Sequence, residues 1–158
     1  MKKVLIALDY SPSAQKIAET GFDLAKALNA QTILLHVTSI ATYYSSLNYS
    51  PIMGFGNFSQ SDVVEKDTTT ELMKVAERFL HKAKQHLGDK TIQTFLLNGD
   101  PGEGILKTAA DLKVDLIVMG THSRHGLEKI FLGSVAEKVL HHSLIPLFII
   151  PIKSLQES

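Results

Sequence analysis

Short apolar runs alternate with longer amphipathic stretches along this chain of 158 residues. Several of the runs are apolar at consecutive positions, which is typical of strands covered on both faces in a parallel sheet. The pattern predicts five strands: Val4–Leu8, Ile33–Val37, Ile92–Leu97, Leu116–Met119 and Leu147–Ile150.

The stretches between the strands carry helix signals. A Ser-Pro pair, an Asp-Pro pair and a serine with capping-box spacing to Glu137 stand where N-caps are expected. The middle stretch repeats apolar residues every three or four positions from Leu72 to Ala83. The predicted helices are Ser11 to about Leu28, about Val64 to Leu87, Asp100 to about Leu112, and a last one from Ser134.

Strands and helices therefore alternate as β-α-β-α-β-α-β-α-β. Right-handed crossovers then predict a single α/β domain, an open doubly wound five-stranded parallel sheet with helices on both faces. We expect this domain to span residues 1–152, with a tail at 153–158. Such sheets bind ligands at the carboxyl ends of their strands, where the strand order reverses.

Composition narrows the possible functions. The 16 basic and 16 acidic residues cancel, which argues against a general attraction to nucleic acid or to an anionic membrane. Without cysteine there is neither a disulfide framework nor a thiolate metal site. The first apolar run meets Asp9 too early for a signal peptide, and no run approaches the roughly 20 apolar residues of a membrane span. We therefore expect a cytoplasmic protein.

One segment interrupts the alternation of strands and helices. Residues 39–61 contain no charge but supply five of the eleven aromatic residues: Tyr43, Tyr44, Tyr49, Phe55 and Phe58. An insert of this length is usually functional or mobile. A surface loop, a lid and a partner-binding surface all remain open.

The stretch after the fourth strand has the layout of a phosphate cradle. The strand leads into a loop opened by Gly120, and the loop closes on Gly133-Ser134 at a helix start. Glycines let backbone approach an anion closely, and a helix N-terminus presents unpaired N–H groups and a positive dipole end.

These segments together resemble the universal stress protein family, over nearly the whole chain except the insert and the tail. The matching segments are Val4–Ser11, Leu35–Val37, Gly99–Pro101, Ile117–His122 and Leu132–Val139. In the nucleotide-binding branch, two residues separate the first loop glycine from a second, and nine more precede a Gly-Ser or Gly-Thr pair. Gly120, Ser123 and Gly133-Ser134 keep this spacing, but Ser123 replaces the second glycine.

Ser123 leaves two outcomes open. If its φ must be positive, a serine costs about 1 to 2 kcal/mol and weakens ligand binding. If its φ is negative, the hydroxyl is itself a candidate phosphate contact. His122 and Arg124 are further candidates, Arg124 above all because its planar guanidinium matches phosphate oxygens.

The resemblance implies a role for each residue of an adenine-nucleotide site, for ATP or a relative with Mg²⁺ held only through the phosphates. Asp9 contacts a ribose hydroxyl or the base, although an N-cap or Asx-turn explains it nearly as well. Ala7 and Val37 flank the adenine, and Met119 lines the pocket unless it is ordinary core. The phosphates are held by Gly120, Ser123, Gly133, Ser134 and the N–H groups of Val135 and Ala136.

Other motifs carry little weight. The glycine spacing excludes a Walker loop, and Gly102-Glu103-Gly104 begins like a dinucleotide fingerprint but has Lys107 where a third glycine belongs. His141-His142 fits a helix end better than a metal site. No catalytic set is specified, so hydrolysis is expected to be slow at most.

The last strand suggests assembly. In a sheet of order 3-2-1-4-5 it lies at an edge, and an exposed apolar edge requires pairing or cover. The resemblance implies a homodimer through this strand, at Leu147, Phe148, Ile149 and Ile150. We thus expect a dimeric stress-response protein with a regulatory adenine nucleotide. A nucleotide-free interaction module that works through the insert is the alternative, and a slow ATP hydrolase has less support.

Overall fold

The computed structural model describes residues 1–39, 69–121 and 132–152. In these ranges the chain forms five strands and four helices in the predicted alternation. In chain order they are β1 (Lys3–Ala7), α1 (Ala14–Ala27), β2 (Gln31–Thr38), α2 (Thr69–Leu87), β3 (Gln93–Asn98), α3 (Pro101–Asp111), β4 (Leu116–Gly120), α4 (Ser134–His142) and β5 (Leu147–Ile150). The insert beyond Ser39, the predicted start of α2 at residues 64–68 and the tail at 153–158 lie outside the described residues.

All strand pairs are parallel, and the strand order is β3-β2-β1-β4-β5. Ile6 of β1 pairs with Leu34 of β2 on one side and with Val118 of β4 on the other. The chain runs outward from β1 to β3, returns to place β4 beside β1, and then continues outward to β5. The predicted fold class is confirmed, and the strand order reverses between β1 and β4.

The two faces of the sheet carry separate apolar clusters because successive strand residues point to opposite faces. On one face, Ile6 packs with Ile17 of α1 and Phe79 of α2. On the other, Leu5 packs with Ile105 of α3 and Val139 of α4. Helices therefore cover both faces, which explains why the strands are apolar at consecutive positions.

One observed helix start agrees with the start predicted from the sequence, and two differ from it. Asp100 is the N-cap of α3, and its Oδ2 accepts a hydrogen bond of 2.9 Å from the Glu103 N–H. By contrast, α1 starts after Ser13, because Ser11 lies in a turn closed by the Asp9 side chain. The N-cap of α4 is Gly133 rather than Ser134.

Among the described residues, no helix combines the length and the apolar character that crossing a membrane requires.

Candidate functional site

The carboxyl ends of β2, β1 and β4 lie side by side at the position where the strand order reverses. Ala7 ends β1 and is level with Leu35 of β2, so Val37 extends two residues past it. Met119 and Gly120 end β4 on the other side. The fold therefore brings residues predicted from three separate segments to a single edge of the sheet.

An apolar wall lies beneath this edge. Val37, Met119 and Ala136 are at most 6% exposed and belong to one cluster, against which Ala7 and Val135 pack. Met119 is thus buried in the core on this face of the sheet, and its role in lining a pocket stays a prediction. The wall joins the end of β2 to the first turn of α4 through the end of β4.

Asp9 follows β1 as an exposed residue. Its Oδ1 accepts a hydrogen bond of 2.9 Å from the Ser11 N–H, so the predicted Asx-turn is present. This turn fixes the carboxylate at the carboxyl edge of the sheet and uses one of its two oxygens. A ribose contact through the other oxygen is compatible with this geometry.

Gly133 is the N-cap residue of α4. Its φ of 88° and ψ of 154° lie in a region that is essentially restricted to glycine. The Glu137 N–H donates to the Gly133 carbonyl at 2.9 Å, which is the first hydrogen bond of the helix. The preceding N–H groups, of Ser134, Val135 and Ala136, have no acceptor within the helix.

The predicted capping box does not form. Ser134 is the first helical residue and is exposed, and the Glu137 carboxylate lies 3.8 Å from His141 in the next turn. Capping therefore does not account for Ser134. Among the described residues no side chain caps the first turn of α4, which presents the N–H groups and the positive dipole end that an anion requires.

Gly120 has a packing role that the sequence did not suggest. A Cβ at this position would collide with Cδ1 of Ile17 and lie 3.3 Å from Cγ1 of Ile152. The following residue is anchored to the end of β5: the Thr121 N–H donates to the Ile150 carbonyl at 3.0 Å, and its Oγ1 accepts from the Ile152 N–H at 2.8 Å. The start of the loop after β4 is therefore firmly placed.

The loop residues predicted to contact phosphates, His122, Ser123 and Arg124, lie outside the described residues. Their roles, including the consequence of a serine at position 123, stay predictions.

A buried histidine supports the end of β1. His36 is 1% exposed, and its Nδ1–H donates to the Leu8 carbonyl at 2.7 Å. Its ring packs against Tyr10 and Phe79, with centroid distances of 4.3 and 5.2 Å. Burial lowers the pKa of His36, while the bond to Leu8 and the charge of Asp9 act in the opposite direction. In the sequence, His36 is distinguished only by its place in the family resemblance.

Comparison with known proteins agrees with this architecture. The sequence model of the universal stress protein family matches residues 1–151. The chain belongs to the universal stress protein family. Among its relatives, the universal stress protein MJ0577 of Methanocaldococcus jannaschii is 31% identical over 157 residues, which cover 97% of this chain and 96% of that protein.

Solved structures of the family share the fold. A structure of MJ0577 superposes with a TM-score of 0.68 at 27% identity and covers 97% of both chains. A universal stress protein in complex with cAMP gives 0.60 at 20% identity, covering 95% of this chain and 96% of that one. One from Archaeoglobus fulgidus in complex with dAMP gives 0.58 at 17% identity, covering 97% and 98%.

Proposed function

We propose that this universal stress protein is a cytoplasmic stress-response protein that binds ATP or a related adenine nucleotide as a regulatory ligand. The observation that carries the proposal is the first turn of α4, which no described side chain caps and which follows a glycine-only backbone at the carboxyl edge of the sheet. In this proposal the phosphates bind the N–H groups of Val135 and Ala136, the Ser134 hydroxyl, and the backbone of Gly120 and Gly133.

In this proposal the base and the ribose bind at the carboxyl ends of β1 and β2. Ala7 and Val37 flank the adenine beside Met119, and Asp9 accepts from a ribose hydroxyl through the oxygen that its Asx-turn does not use. The loop residues His122, Ser123 and Arg124 complete the phosphate contacts. Support also comes from the two family members that were solved with cAMP and dAMP, both adenine nucleotides.

A regulatory ligand fits the chemistry of the site better than a substrate. Asp9, the acidic residue that follows β1, has one carboxylate oxygen held in a turn. Within residues 1–39, 69–121 and 132–152, no group of three His, Asp or Glu side chains is placed to hold a metal ion. We therefore propose that Mg²⁺ enters only on the phosphates and that hydrolysis is slow at most.

Isothermal titration of nucleotide-stripped protein with ATP and Mg²⁺ tests this proposal. We expect saturable binding, competition by other adenine nucleotides, and no phosphate release above a protein-free control. Absence of binding at millimolar ATP would overturn the proposal in favour of a nucleotide-free interaction module. Rapid phosphate release would instead indicate a hydrolase.

We further propose a homodimer through the outer edge of β5. In the described part of the chain β5 pairs with β4 alone, and no strand covers its other edge. Phe148 is 40% exposed, and Leu144 just before the strand is fully exposed. An apolar, unpaired edge of this kind is stabilised by the same edge of a second copy, and the two-fold axis then uses every contact twice.

Replacing Phe148 with lysine is expected to weaken the dimer by about a hundredfold or more. A two-fold interface loses two buried phenylalanines, each contributing about 1.5 to 3 kcal/mol. Sedimentation equilibrium measures the change. Leu28→Lys is the matched control, because Leu28 is also 40% exposed but lies at the end of α1. An unchanged dimer in Phe148→Lys, or an equal loss in both variants, would contradict the β5 interface.

A further inference from the structure

The first turn of α3 contacts both halves of the proposed nucleotide site. A Cβ on Gly104 would lie 2.8 Å from Cγ2 of Val37, the residue proposed to flank the base. A Cβ on Gly102 would lie 2.7 Å from Cδ of Lys138, which belongs to the phosphate-binding helix α4. Real Cβ atoms do not approach carbon this closely. The two glycines therefore let one turn of α3 pack directly against β2 and α4.

Lys138 is held in this packing by two carboxylates. Its Nζ lies 3.0 Å from Oδ2 of Asp100 and 3.4 Å from Oε1 of Glu103. Asp100 is itself fixed, because the same oxygen accepts the Glu103 N–H as the N-cap of α3. The bond to Asp100 raises the pKa of Lys138. Its apolar stem packs on Gly102 while its charge is paired, so the side chain has a defined position.

The position of Lys138 determines that of the first turn of α4. Lys138 lies four residues after Ser134, about one helical turn, on the same face of the helix. Fixing Lys138 against α3 therefore fixes both the rotation and the height of the N–H groups at the start of α4. The same turn of α3 contacts Val37, so the base side and the phosphate side of the edge share one support.

We propose that Lys138 is a positioning residue of the nucleotide site, which holds the first turn of α4 at the distance from β2 that suits an adenine base joined to a phosphate chain. This role rests on the proposed nucleotide binding. It predicts that Lys138 sets the preference for ATP over adenosine, since only the phosphates reach α4.

Two variants distinguish the positioning role of Lys138 from a direct electrostatic effect of its charge on the phosphates. Lys138→Met keeps the stem and the helix propensity but removes the ion pairs with both carboxylates. Asp100→Asn keeps the N-cap but removes the shorter ion pair, of 3.0 Å, and leaves the contact of Lys138 with Glu103. We expect each to bind ATP about three- to fivefold more weakly by isothermal titration, with adenosine affinity unchanged. A purely electrostatic effect on the phosphates predicts the opposite change for Asp100→Asn. Loss of a negative charge near the site would then strengthen ATP binding. Stronger ATP binding by Asp100→Asn would overturn the proposal.

Lys107→Met is the matched control. Lys107 pairs with Asp111 on the exposed surface of α3, so this variant also removes a lysine from an ion pair, but away from α4. We expect its ratio of ATP to adenosine affinity to equal that of the wild type. An equal loss of ATP affinity in Lys107→Met and Lys138→Met would overturn the proposal.

A measurement without nucleotide distinguishes failure of this inference from failure of the proposed function. In ¹H–¹⁵N spectra of the free protein, Asp100→Asn is expected to shift the amide resonances of Ser134, Val135 and Ala136, because its ion pair with Lys138 links it to this turn. Unchanged resonances would overturn the positioning role even if the wild type binds ATP. Shifted resonances in a protein that binds no nucleotide would overturn the nucleotide site while leaving the structural link intact.

Discussion

Replacing Gly133 with aspartate is expected to weaken ATP binding by about a hundredfold or more while leaving the fold intact. Residues other than glycine adopt the observed φ of 88° and ψ of 154° only at a cost of about 1 to 3 kcal/mol. If the backbone relaxes instead, the N–H groups of Ser134 to Ala136 turn away from the phosphates. The new carboxylate would also occupy the helix N-terminus and repel the phosphate chain.

Two further variants separate the effect of backbone strain at position 133 from the effect of the added charge. Gly133→Ala introduces the backbone strain without the charge, and we expect it to lose about tenfold in ATP affinity. Gly88→Asp introduces a charge at another positive-φ glycine, with a φ of 74° and no atom near its missing Cβ. Gly88 lies between α2 and β3, at the opposite edge of the sheet, so its ATP affinity should equal that of the wild type. Equal affinity in Gly133→Asp and Gly88→Asp would contradict a site at α4.

The fold was predictable because its signals are local and repeated. Each strand is a short apolar run, and covering on both faces leaves consecutive apolar residues that only a few architectures accommodate. The start of α3 was predictable for the same reason, since Asp100 caps this helix through the N–H of Glu103, only three positions further along the chain. Side chains at the ends of β1, β2 and β4 were expected to be neighbours because parallel strands end at one edge.

Two helices start at residues other than those predicted, because alternative local hydrogen bonds compete there and are equally plausible from the sequence. Asp9 captures the Ser11 N–H, so the Ser-Pro pair lies in a turn and α1 starts later. At α4 the sequence spacing fits a capping box, but the backbone of Gly133 occupies the N-cap position. Nothing in the sequence pattern decides between these alternatives.

Contacts between segments that are distant along the chain could not be predicted from the sequence. Gly120 was assigned to anion approach, whereas its missing Cβ also makes room for Ile17 of α1. Gly102 and Gly104 begin like a dinucleotide fingerprint in the sequence, whereas in the fold they let α3 pack on Lys138 and Val37. In both cases the glycine signal was real, but its cause lies in a helix or strand that only the folded chain brings near.

Lowering the pH from about 8 to about 5 is expected to destabilise the protein through His36. Because Nδ1–H is used by the Leu8 carbonyl, a further proton must go to Nε2, which lies buried with no hydrogen-bond partner in the described part of the chain. Burial therefore lowers the pKa of His36 in the folded state below its ordinary value of 6.5. Between the lowered and the ordinary pKa, the unfolded chain binds a proton that the folded chain does not.

The sign of the effect follows from this difference. Stability is fully present above the ordinary pKa of 6.5 and is lost as the pH falls below it, by a factor of up to about ten in the folding equilibrium per pH unit. The loss stops only below the lowered pKa of the folded state. His36→Asn keeps an N–H donor for the Leu8 carbonyl but does not titrate, so urea unfolding at several pH values isolates the contribution of His36.

At about pH 8 both proteins are uncharged at this position, and the difference in their free energies of unfolding reports packing and hydrogen bonding rather than ionisation. That difference should shrink as the pH falls, because only the wild type loses stability through His36. Parallel pH profiles would contradict a buried, neutral His36. The charge of Asp9 opposes the effect of burial, so Asp9→Asn is expected to extend the sensitive range to lower pH. The residue proposed to contact the ribose thereby also sets the acid stability of the core beneath it.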